Sequence, residues 1–250
     1  MSTGKDRSAG DVLLCERCGY VLSGLAEQGA CPECGKAIAE SLPSARRLKF
    51  DRASGFGWFA VAWRFARSPM VSFTSMVVER KPAAAFRWRS ELLVSFLAGI
   101  FAVIPSVVAF TRTPKFNPFL ASIELLQLVG LTFAIVFVAT ILLLEVVALI
   151  ERLGSRNIGR WHRWRISREV AYCVCAYASV GWLLGAFALL AWTLVYVLQT
   201  FSAAGAGPRV DGAFSLLGAP VSFLIGLFGY ELLVYIGLRR CKFANAEGAR

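Results

Sequence analysis

Negative charge is scarce in this chain. It has 16 Asp+Glu against 27 Lys+Arg, a formal net charge of +11 over 250 residues, and only 17% of its residues are charged. Histidine is nearly missing. His162 stands alone in the loop Gly159-Arg-Trp-His-Arg-Trp-Arg165, and a histidine without partners reads as an interfacial side chain rather than a catalytic base. There is no H-E-x-x-H, no G-x-S-x-G and no G-x-x-x-x-G-K phosphate loop, so the common hydrolase and NTPase sites are not expected. The N-terminus, Met-Ser-Thr-Gly-Lys-Asp-Arg-Ser, lacks the apolar core of a secretory signal. The N-terminal segment is therefore expected on the cytosolic side, where thiols stay reduced and free to hold metal.

Apolar sequence is abundant. Hydrophobic residues make up 57% of the chain and the mean hydropathy is +0.60, whereas soluble domains are about 45–50% apolar. Four stretches are long enough to cross a hydrocarbon core of about 30 Å: Leu92–Phe110, kinked or ended near Pro105, then Leu125–Ile150, Val170–Thr200 and Ala213–Leu238, with Pro220 near its start. In lipid every backbone amide needs an internal partner, so these are expected to be helices. Charge sorting supports four crossings. Of the 27 Lys+Arg, only Arg112, Lys115 and Arg209 fall in the two loops assigned to the outer side. Basic residues mark the cytoplasmic side. The expectation is a multi-pass protein of the cytoplasmic (inner) membrane with both termini cytoplasmic. Topology and anionic lipid then account for the positive charge better than nucleic acid does.

The cysteines are ordered. In Cys15-Glu-Arg-Cys18-Gly-Tyr and Cys31-Pro-Glu-Cys34-Gly, twelve residues separate Cys18 from Cys31, the spacing with which a short chain surrounds one tetrahedral ion. Thiolates suit zinc, so Cys15, Cys18, Cys31 and Cys34 are expected to hold a structural Zn2+. Gly19 and Gly35 follow the second cysteine of each pair and allow tight turns that aim N–H groups at sulfur. Tyr20-Val21-Leu22 is read as one short strand of a hairpin. A closed set of four thiolates leaves no position for substrate. Residues 11–40 set Asp11, Glu16, Glu27, Glu33 and Glu40 against Arg17 and Lys36. This acidic balance favours a protein contact over DNA or RNA, whose binding modules present basic stripes.

The run Cys15-Glu-Arg-Cys-Gly-Tyr-Val-Leu-Ser-Gly-Leu25, closing with Cys31-Pro-Glu-Cys-Gly35, resembles the N-terminal zinc ribbon of bacterial membrane proteins of undefined role. That resemblance implies zinc ligands at the four cysteines. Ala171-Tyr-Cys-Val-Cys-Ala-Tyr-Ala-Ser179 is similar to a stretch at the head of a span in the Yip-type multi-span family of trafficking proteins. That second resemblance implies a membrane-organising role and five spans, where four are counted here.

The remaining organisation follows from composition. Residues 1–10 are expected to be a disordered tail, 11–40 the zinc ribbon and 41–53 a polybasic linker with Arg46, Arg47, Lys49 and Arg52. Residues 54–90 hold two apolar runs too short to span, read as amphipathic helices lying in the membrane interface, or alternatively as a small cytosolic helical subdomain. The four-span domain covers 91–242 and a cytoplasmic tail 243–250. Trp161, Arg163, Trp164 and Arg165 join the linker's basic residues as headgroup contacts.

Within the spans, Glu145 and Glu231 sit at similar depth near the cytoplasmic end, with Glu91 and Glu169 opening spans one and three. Such a layer is either an ion-pair belt or a proton or cation site. Gly181 and Gly185, then Gly218, Ser222 and Gly226, repeat small residues at intervals of four, which lets helices three and four pack closely or self-associate into a homo-oligomer. Cys173 and Cys175 are read as packing residues, and Cys241 as a candidate acylation site.

The expected fold is mostly α: a four-helix transmembrane bundle with a small N-terminal β zinc ribbon. The expected role is a non-enzymatic adaptor or membrane-organising scaffold whose ribbon contacts a cytosolic or membrane protein partner. A small transporter or channel component using Glu145 and Glu231 is the alternative.

Overall fold

The structure, a computed structural model, describes residues 12–46, 48–50, 56–110, 118–162, 164–202 and 212–245. The expected tail over 1–10 and the basic residues Arg47, Arg52 and Arg163 lie outside them. Among the described residues, seven α-helices run in chain order: α1 Gly57–Arg67, α2 Pro69–Ser75, α3 Arg80–Phe110, α4 Pro118–Trp161, α5 Arg168–Ala178, α6 Trp182–Ser202 and α7 Gly212–Arg240. Short 3-10 turns occupy Ile38–Ser41, Pro43–Ala45 and Ser179–Gly181.

Four helical segments among the described residues are long and apolar enough to cross a membrane: Arg80–Pro105, Ile123–Gly159, Arg168–Gln199 and Leu217–Arg240. The first starts earlier than its hydropathy suggests, because Pro82 falls in the first turn of α3, where a missing N–H costs nothing. Residues 80–90, grouped above with the interfacial helices, are continuous with the apolar part of α3. The third is interrupted. The Ser179 hydroxyl donates to the Ala176 carbonyl at 2.7 Å, and the chain passes through a 3-10 turn before α6 begins at Trp182.

The expected β ribbon is not there. Among the described residues no β-strand forms; only isolated bridges occur, antiparallel at Leu14–Val21 and Ala30–Ala37 and parallel at Leu48–Met76. The reason is local. Each cysteine turn pairs its two arms around a single bridge, and the chain then turns away at once, as where the Leu25 N–H returns to the Leu22 carbonyl. A one-bridge arm cannot propagate into a ladder.

Contacts divide the chain into two compact units. One comprises residues up to 89, 147–180 and 232–250. In α1 the residues Trp58, Val61, Ala62 and Phe65 are buried, the i, i+3, i+4, i+7 spacing of one helical face. They join an aromatic core. Phe65 stacks on Tyr177 at 5.1 Å between centroids and meets Phe73 edge-on at 4.8 Å, while Phe86 lies 5.1 Å from Tyr177. The opposite face of α1 leaves Phe59 and Trp63 exposed, and Met70 and Val71 of α2 are exposed as well.

The second unit comprises 90–146 and 181–231. Here α6 and α7 approach almost backbone to backbone. A Cβ at Gly185 would stand 2.7 Å from the Ser222 carbonyl oxygen, and one at Gly181 would stand 2.6 Å from the Gly229 carbonyl carbon. The unit also holds a partly open cavity of about 590 Å³, lined by α3, α4, α6 and α7, including Phe101, Thr140, Trp192 and Tyr196.

Candidate metal centre

Two turns of the same construction build the site. The Gly19 N–H donates to the Cys15 carbonyl at 2.8 Å and the Cys15 N–H to the Tyr20 carbonyl at 2.8 Å. Sixteen residues on, the Gly35 N–H donates to the Cys31 carbonyl at 2.9 Å and the Cys31 N–H to the Lys36 carbonyl at 2.8 Å. The outer pairs repeat too, Leu22 to Leu13 at 2.8 Å and Ile38 to Gly29 at 3.0 Å. Gly19 and Gly35 take φ of +80° and +70°, a backbone state that other residues reach only with strain. At Gly19 the space is closed as well, since a Cβ would stand 2.8 Å from the Phe243 ring.

These turns bring Cys15, Cys18, Cys31 and Cys34 together, with all four Sγ atoms within 4.8 Å of one another. Across the turns, Cys15 Sγ lies 3.5 Å from Cys34 Sγ and Cys18 Sγ 3.6 Å from Cys31 Sγ. Four sulfurs placed tetrahedrally at the zinc–sulfur distance of about 2.3 Å are about 3.8 Å apart, so the donor set fits such an ion. Cys15 and Cys31 are buried in a small core with Leu13, Leu22 and Ile38, while Cys18 is exposed.

The protonation pattern follows from crowding. Burial disfavours the Cys15 thiolate, but the N–H groups of Cys18 and Arg17 and the neighbouring thiols outweigh it and bring Cys15 down to about 7. Cys18 is pushed up to about 12 by loss of water and by the Cys31, Cys15 and Cys34 thiols, against the Tyr20 N–H. One thiolate makes the next harder to form. A divalent cation among the four removes that penalty and holds every sulfur deprotonated.

The surroundings fix the module in place. Glu16, inside the first turn, receives Arg46 Nε at 2.9 Å and Arg46 Nη2 at 2.8 Å. Arg46 also donates to the Met76 carbonyl at 3.0 Å. Asn245 holds both backbone groups of Leu14 and donates to the Ser41 carbonyl at 2.7 Å. Cys241, fully buried, donates to the Phe73 carbonyl at 3.4 Å. Sequence reasoning counted Glu16 only in the acidic balance of the module and missed its pairing with Arg46; it missed Asn245, which belongs to no motif. It also missed Gly229, whose only signal is its place one turn beyond Gly226.

The other expected residues fall as follows. Arg46 is 6% exposed, so its guanidinium faces protein rather than lipid headgroups. Lys49 is half-exposed and pairs with Glu79. Trp161 is 85% exposed, Arg165 is exposed and Trp164 is half-buried. Gly218 abuts the Trp192 ring, Gly226 faces the Gly185 backbone, and Ser222 is buried. Glu145 and Glu231 are half-buried and neither lines the cavity, whose lining carries no charged side chain. Glu91 lies well inside α3 and is buried. Cys173 and Cys175 are buried.

What stands is a multi-span helical membrane protein with a four-cysteine cluster able to hold a metal ion. Comparisons with protein-family models, with curated proteins and with solved structures find no match to this chain, neither resemblance drawn from its sequence included.

Proposed function

We propose that the chain is a non-enzymatic adaptor of the inner membrane: a zinc-holding cysteine module on the cytosolic face, anchored by four spans, that contacts a cytosolic or membrane protein. The observation that carries the proposal is the closed set of four sulfurs within 4.8 Å of one another. Four thiolates satisfy zinc completely and leave no open position for substrate or activated water. The ion's role is then structural, since a unit of about 30 residues cannot bury enough apolar surface to fold unaided.

Exposed apolar side chains on the module support a protein contact. Tyr20, Val21 and Leu25 are exposed next to the first turn, around Gly24 at φ +87°. Exposed aromatic and aliphatic groups suit a protein partner, and the module's acidic balance does not suit nucleic acid. A transport role would call for polar groups deep in the bundle, and the cavity offers mainly apolar walls.

Site-specific photocrosslinking from position 25 in living cells tests the reading. The expected result is a discrete cross-linked partner that is lost in a Tyr20→Ser variant and in Cys31→Ser. Identical cross-links in all three proteins would rule out the module as the contact.

A further inference from the structure

The cavity of the second unit lies entirely among membrane-type helix segments. Every residue that lines it, on α3, α4, α6 and α7, falls within a stretch long and apolar enough to cross a membrane. Small side chains leave the space open: Ala98 and Ala102 stand one turn apart on α3, Ala186 lies on α6 and Ala219 on α7. Leu143 and Ala219 are part of the wall and are also exposed. The cavity therefore opens between spanning helices, where the surrounding medium is hydrocarbon.

The chemistry of the wall selects against water. Thr140 donates to the Val136 carbonyl at 2.7 Å and Thr193 to the Leu189 carbonyl at 2.8 Å, so both hydroxyl protons are spent inside their own helices. No Asp, Glu, Lys or Arg lines the space. A trapped water needs about 2–4 polar partners, whereas apolar cavities stay dry and take apolar guests. The volume of about 590 Å³ falls in the range of about 300–1,000 Å³ used by small-molecule sites. It is about four times the ~150 Å³ cavity that accepts benzene. Left unfilled, such a space forfeits dispersion contacts along its whole lining, and a bilayer chain supplies them.

We propose that this cavity binds a hydrocarbon chain of a membrane lipid, recognised by the chain and not by the headgroup. An uncharged wall offers nothing to a phosphate or an amine, so the headgroup stays outside. The site lies within one unit and needs neither the metal nor any partner of the cysteine module.

Native mass spectrometry of the full chain in mild detergent tests it, with dipalmitoyl phosphatidylglycerol and dipalmitoyl phosphatidylcholine as probes. The expected result is one lipid retained per chain, equally for both headgroups. Glycerol 3-phosphate, a headgroup without chains, should not displace it. Ala219→Trp puts a large ring into the opening and should cut retention about five-fold. Ala134→Trp, exposed on α4 and outside the lining, should leave it unchanged. A palmitate with a photoreactive group on its chain reads the same site in the unaltered protein. After detergent washing it should mark Phe101 or Leu189, in the wall, over the exposed Leu131 and Phe187 outside it. Retention that follows the headgroup, no loss in Ala219→Trp, an equal loss in Ala134→Trp, or cross-links confined to Leu131 and Phe187 overturns the proposal.

Discussion

Arg46 grips Glu16 with two nitrogens, Nε at 2.9 Å and Nη2 at 2.8 Å from the same carboxylate oxygen. The pair ties the first cysteine turn to the segment before α1, and the guanidinium continues inward to the Phe73 and Met76 carbonyls. Removing one partner of a buried pair strands the other, at a cost of about 3 kcal/mol. Arg46→Ala is expected to lower the thermal midpoint in detergent and to speed metal release to a chelator. An unchanged midpoint would mean that solvent reaches the pair.

Metal content is the simplest check on the site. The purified chain should carry one zinc per molecule by elemental analysis. Cys31→Ser replaces a buried sulfur by a poor ligand and should lose most of that metal. A chain purified under reducing conditions with no stoichiometric metal would leave the cluster as four packed thiols.

Asn245 makes three hydrogen bonds while 3% exposed. Asn245→Ala would leave buried backbone groups unsatisfied, at about 1–3 kcal/mol. Hydrogen exchange should then rise at Leu14 and around the cysteine turns, with the spans unaffected. Exchange confined to the C-terminal residues would show that the module holds itself together.

Helix packing separates two glycines. Gly185→Ala places a Cβ 2.7 Å from the Ser222 carbonyl oxygen, against backbone that cannot step aside, whereas a Cβ at Gly130 meets nothing within 4 Å. Gly185→Ala should therefore lower stability in detergent and Gly130→Ala should not. Equal behaviour of the two would deny the close approach of α6 and α7.

Cys241 offers a test by pH. Burial, partly offset by Arg46, raises its thiol above the ordinary value of 9.0. The folded protein thus favours the neutral form. This contribution to stability is full below pH 9.0 and is lost as pH rises through the higher folded value. Maleimide should label Cys241 only on unfolding, and an acyl chain is not expected there. Fast labelling of the native chain at neutral pH would contradict the burial.

Local pattern made part of this structure readable in advance. The cysteine cluster was legible because spacing, Gly19 and Gly35 act within a few residues. The spans were legible because lipid demands length and apolarity together. The β hairpin was misjudged because Tyr20-Val21-Leu22 has strand-forming residues but only a single bridge to form. Arg46 looked like a headgroup residue because charge alone does not reveal that Glu16, thirty positions earlier, would bury it. The Asn245 contact joins the far end of the chain to Leu14 and Ser41, and no sequence window contains it.

Chain order gives the Asn245 contact a temporal meaning. Leu14 leaves the ribosome early, while the side chain that clasps it emerges only after α7 has been synthesised. The cysteine turns are complete in sequence long before their seat is, which waits for the residues after α7. A ribosome stalled within α7 would therefore release a head that can be charged with metal yet is not docked.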